Sequence, residues 1–174
     1  MIFPTTVRSS FRLPGLSRSG LRGVPPNLQG RAAEALAKLI GDRRQHVIAE
    51  GVRPVPGTIC RAMQGYFPDA LLRKCRFSVG EAGPLKLPAF RLSYGSAVLV
   101  ALGDVVIFGS DHAAHTDLKL WAQALTHVMQ YQRWGLDEYA SRFVRDRGAI
   151  EKEAAANALR FLAWSRDRAA LARA

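Results

Sequence analysis

An α+β fold is what this sequence predicts, and three observations carry it. Residues 31–50 and the last third of the chain repeat apolar side chains at helical spacing. Between them lie four short β-rich segments, cut apart by Gly, Pro and Asp. The 174 residues, 48% hydrophobic and 22% charged, suit one globular domain rather than several or a disordered chain.

Residues 1–30 are rich in Pro, Gly, Ser and Arg and show no apolar periodicity. They read as a basic flexible arm, which leaves 31–174 as a single domain. Arg31–Glu50 predicts the first helix, with Ala35, Leu36, Leu39 and Ile40 on one face and Gly41 as a candidate break. Gly51 stops it, and Pro54 and Pro56 enforce an extended link. A short helix follows over Thr58–Gln64. Tyr66-Phe67-Pro68-Asp69 then recaps the chain into a helical turn over Ala70–Lys74.

The β region comprises Arg76–Val79, Phe90–Tyr94, Ala97–Leu102 and Val105–Phe108. Leu102-Gly103-Asp104 has the make-up of a hairpin turn, and Val105–Phe108 is expected at the sheet edge. A helix then runs from a Thr116 or Asp117 cap to a stop at Gly135, with Leu118, Trp121, Ala122, Leu125, Val128 and Met129 as its apolar stripe. Gln123, His127, Gln130 and Tyr131 fall off that stripe. A further helix spans Asp137 to Arg147, and an Ala-rich one starts near Ala149 and buries Ala154, Ala158, Phe161 and Leu162.

Charge is uneven. The chain carries a formal +11, and no acid precedes Glu34 while Arg8, Arg12, Arg18, Arg22 and Arg31 all do. Such an arm suits an anionic partner, or simply a solvated tail. The longest apolar stretch, Ala97–Leu102, is far short of the roughly 20 residues of a spanning helix, so no membrane span is expected. No secretory-type apolar core opens the chain. The spacing of Cys60 and Cys75 allows a bridge, and two free buried thiols suit it at least as well. Phosphate-binding glycine loops, paired-cysteine metal spacings and Gly-x-Ser-x-Gly elbows are absent from the sequence.

One stretch carries chemical information. Zinc peptidases use His-Glu-x-x-His on a helix: the two histidines share a face and grip one ion, and the glutamate polarises its water. Here Gln123-Ala124-Leu125-Thr126-His127 keeps only the last of those groups. His112 and His115 form an i, i+3 pair in an expected loop and are a weaker metal candidate.

From Arg53 to Ala158 the chain resembles a bacterial domain family of unknown function assigned to the zincin-type metallopeptidases. The resemblance rests on Val52-Arg53-Pro54-Val55-Pro56, Gly65-Tyr66-Phe67-Pro68-Asp69, Leu102–Phe108, Leu120-Trp121-Ala122, Thr126–Gly135 and Ala149–Ala154, all in order. It implies a zincin-like arrangement, with an edge strand over a cleft, a motif helix and two C-terminal helices. It assigns His127 as the second histidine ligand and Glu151, preferred over Glu153, as the third ligand. Gln123 then stands at the first ligand position, Ala124 at the general base, and Ala155 where an Asp is usual.

The expectation is therefore a metallopeptidase-like protein with a degenerate zinc motif, inactive, holding no zinc or holding it weakly, and acting as a binding or scaffold module for a peptide or protein partner at the cleft. A functional peptidase with an altered or engineered motif is one alternative. A basic nucleic-acid-binding domain, with Leu125–Arg147 as its reading head, is the less favoured one. Family members attached to secreted effectors imply bacterial export.

Overall fold

The computed structural model describes residues 26–80, 92–94 and 97–172, so the arm up to residue 25, and Phe90 and Arg91 at the head of one expected strand, lie outside the described residues. Helix α1 spans Pro26–Glu50 and begins inside the expected arm. Proline is well suited to the first helical position, where its missing N–H costs nothing. Gly41 does not break the helix, because packing on the C-terminal helices outweighs the roughly 1 kcal/mol helix penalty of glycine. The buried stripe is Ala33, Ala37, Ile40 and Val47; Ala35 is exposed and Leu39 half-buried, contrary to expectation. Alanine contributes little to an apolar pattern, so the face was misread by a fraction of a turn.

Strand β1 (Arg53–Pro54) leads to α2 (Gly57–Met63) and α3 (Asp69–Lys74), and then come β2 (Arg76–Val79), β3 (Leu92–Tyr94), β4 (Ala97–Leu102) and β5 (Val105–Phe108). The sheet order is β1-β2-β5-β4-β3. β5 runs parallel to β2 and antiparallel to β4, so the sheet is mixed. The expected hairpin is present: Leu102 pairs with Val105, and Gly103 takes φ +68°, a conformation that glycine adopts without strain.

One expectation is overturned. Val105–Phe108 is not an edge strand but the central one, and all four of its residues are buried. The unbroken Val-Val-Ile-Phe run is what a strand covered on both faces requires, whereas an edge would alternate. Among the described residues the edges are β1 and β3.

Helix α4 (Asp111–Thr116) replaces the expected loop, with the Ser110 hydroxyl accepting from the Ala113 amide at 3.2 Å. Helical structure then runs over Leu118–Leu171 as α5, bent sharply at Gly135 (φ +76°, ψ 172°) and Asp146 (φ −153°, ψ 77°). These are three helical segments, 118–134, 136–145 and 147–171, close to the sequence expectation. The Asp146 carboxylate caps the third by accepting from the Ala149 amide at 3.1 Å. Asp117 caps the first, accepting from Leu120 at 2.8 Å. Asp117→Ala is expected to cost about 1 kcal/mol, read as a lower urea midpoint at unchanged slope.

The 118–134 segment is not amphipathic in the expected sense. Trp121, Ala124, Leu125, Thr126, His127, Val128 and Gln130 are all buried, while Met129, expected inside, is exposed. Its N-terminal part joins a core with Phe77, Phe108, Ala158 and Phe161, and Tyr131 joins a second core with Ile40, Val100 and Ile107. Trp121 anchors the first, its indole N–H donating to the Ala114 carbonyl at 2.7 Å. No described helix is long and apolar enough to cross a membrane.

Candidate functional site

The bends at Gly135 and Asp146 let the 147–171 segment return to the 118–134 segment, and the facing sides carry polar groups. Gln130 Nε2 donates to the Ile150 carbonyl at 3.2 Å and to Glu153 Oε2 at 2.9 Å. Those two acceptors orient the amide, so its Oε1 faces the His127 ring and accepts from Nδ1–H at 2.9 Å. The Nε2 of the ring is left with the lone pair. Glu153 is held from outside by Arg133, whose NH2 lies 3.0 and 3.1 Å from the two carboxylate oxygens. A His127–Gln130–Glu153–Arg133 chain thus runs from the core to the surface.

His127 is 1% exposed. Burial pushes its pKa down to about 4; the Gln130 hydrogen bond and the Glu153 charge oppose this, and Arg147 adds to it. The ring is neutral at physiological pH. Burial alone would raise Glu153, but hydrogen bonds from Gln130 and Arg133 and the Arg133 charge outweigh it and hold the carboxyl below its ordinary range.

A second polar link lies nearby. Asn157 Nδ2 donates to the Thr126 hydroxyl at 2.9 Å, Thr126 donates to the Ala122 carbonyl at 2.7 Å, and the Tyr66 hydroxyl donates to Asn157 Oδ1 at 2.9 Å. Two polar seams therefore fix the register of the first and third segments.

The expected ligands are placed unequally. The acid joined to His127 through Gln130 is Glu153, whereas the carboxylate of Glu151 accepts from Arg147 Nε. Gln123 is half-buried, and Ala124, expected at the general-base position, is 0% exposed within the first core. His112 and His115 lie exposed on α4, where His115 Nδ1 is 2.8 Å from the Asp111 carbonyl. Among the described residues no three His, Cys, Asp or Glu side chains converge as a metal group. One imidazole, one carboxylate already held by a guanidinium and a neutral amide fall short of the three protein ligands that a catalytic zinc takes.

Cys60 and Cys75 are free thiols, and burial, its largest cause, pushes Cys75 up to about 12. On the 136–145 segment Arg142 and Arg145 both lie on Glu138, at 2.7 and 3.9 Å.

The sequence reading assigned no role to Gln130, Arg133, Arg147 or Asn157. Gln130 carried a usable signal, standing one helical turn beyond His127. The other three act through the bends, and a helical repeat does not reveal which residues a bend brings together. In comparisons with protein-family models, curated proteins and solved structures, nothing matches this chain.

Proposed function

We propose that this chain is a metallopeptidase-like module without catalytic function, which acts by binding a peptide or protein partner. The observation that supports this most is the burial of the two motif positions that should meet water and substrate. Ala124 is wholly inside the hydrophobic core, and His127 is 1% exposed, with its Nδ1–H donated to Gln130. A general base must reach the proton it removes, and a catalytic zinc needs three protein ligands with an open fourth position. The side chains here serve helix packing and a polar seam instead. Because β5 is central, a partner cannot add alongside that strand and must be met by a different surface.

The test is zinc content and proteolysis of the full-length chain. Elemental analysis after dialysis against micromolar zinc is expected to find far less than one zinc per chain, and a fluorogenic peptide mixture is expected to stay uncut. Stoichiometric zinc together with chelator-sensitive cleavage would overturn the proposal.

A further inference from the structure

Where the three segments of α5 meet, a cleft of about 250 Å³ is lined by Trp134, Arg142, Arg145, Ala149 and Ile150, with Asp146 and Glu153 on its wall. Drug-sized ligands occupy roughly 300–1,000 Å³, so this space fits something smaller. Its hydrogen-bonding capacity is lopsided. Asp146 caps the third segment, and both oxygens of Glu153 are taken by Gln130 and Arg133. The guanidiniums have capacity to spare. Arg142 uses its Nε on Glu138, and Arg145 has that same carboxylate only at 3.9 Å. Arg142 also lies 4.6 Å from the centroid of the Trp134 ring, which holds its fork in place. Ile150, Ala149 and Trp134 supply the apolar part of the lining, a floor for the cleft.

We propose that this cleft binds the C-terminal carboxylate of a peptide whose last residue is apolar. A planar carboxylate matches a guanidinium fork through two parallel charge-assisted hydrogen bonds. The adjoining apolar floor takes the terminal side chain. Asp146 and Glu153 on the same wall repel a phosphate dianion more than a carboxylate monoanion, which selects against phosphorylated ligands. The proposal rests on the reading of the chain as a binding module and names the partner class for it.

The experiment is a calorimetric titration of the full chain with N-acetyl-Ala-Leu as the free acid, its C-terminal amide, N-acetyl-Ala-Asp-amide and inorganic phosphate. The free acid is expected to bind, and the other three at least about tenfold more weakly. Arg142→Gln with Arg145→Gln is expected to weaken the free acid at least about tenfold, while Arg160→Gln leaves it unchanged. Both cleft arginines are exposed, so the double variant is expected to keep the wild-type circular dichroism spectrum. Equal binding of the amide, the aspartyl peptide or phosphate, an undiminished double variant, or no binding of the acid would each overturn the proposal. Zinc uptake with cleavage would instead overturn the underlying reading, and it does not depend on these arginines.

Discussion

Replacing Ala124 with Glu is expected to lower the unfolding free energy by about 5–7 kcal/mol at pH 7. Ala124 has no exposed surface and sits in the core shared with Phe77, Phe108 and Phe161. A carboxylate there must either be buried charged or hold its proton at a pH far above its ordinary value. Keeping a group that normally titrates near 4.3 protonated at pH 7 costs about 4 kcal/mol. Crowding a packed core adds about 1–3 kcal/mol. The first part disappears in acid, so the variant should lose less stability relative to wild type at pH 4.5 than at pH 7. Urea denaturation at the two pH values separates the contributions. A change below about 1 kcal/mol at pH 7 would mean that position 124 opens onto water, and the argument for a closed, non-catalytic helix would fail.

The same residue illustrates what the sequence makes legible. Local chemistry could be read directly: Gly135 stops a helix, Gly103 turns the hairpin, and Asp117 is a cap candidate at the start of the 118–134 segment. Each acts within a few residues of its own position. What depends on tertiary placement was misread. Val105–Phe108 is expected at an edge although its unbroken apolar run suits a strand covered on both faces, and the structure buries it in the middle of the sheet. The 118–134 segment has cores at both ends, so His127, Gln130 and Tyr131 are buried although they lie off the strongest apolar stripe. The pairing of Gln130 with Glu153 spans 23 residues and two bends, beyond the reach of helical spacing.

Lowering the pH from 6.5 to 4 is expected to cost the fold about 3 kcal/mol through His127 alone. An unfolded chain takes a proton on this imidazole near 6.5, whereas the folded chain, with the ring buried, takes it only near 4. Between those values the unfolded state binds more protons. The stabilisation is therefore complete above 6.5 and is lost progressively as the pH falls to 4. Glu153 acts in the same direction but later. Its pKa is lowered from an ordinary value of 4.5, so its contribution is lost only as acid protonates it below that value. His127→Gln isolates the first effect, because the amide can still donate to Gln130 Oε1 but does not titrate. His46, His112 and His115 remain in both proteins and cancel in the difference. Chemical denaturation should show wild type ahead of the variant at pH 7, with that advantage shrinking by about 3 kcal/mol as pH 4 is approached. In parallel, the His127 ring carbons should show a neutral imidazole, protonated at Nδ1, down to the same acid range by NMR. An advantage that does not change with pH would mean that water reaches the ring. The His127–Gln130–Glu153 seam would then no longer account for how the bent third segment is held against the first, and the place assigned to a vestigial ligand would be open to solvent after all.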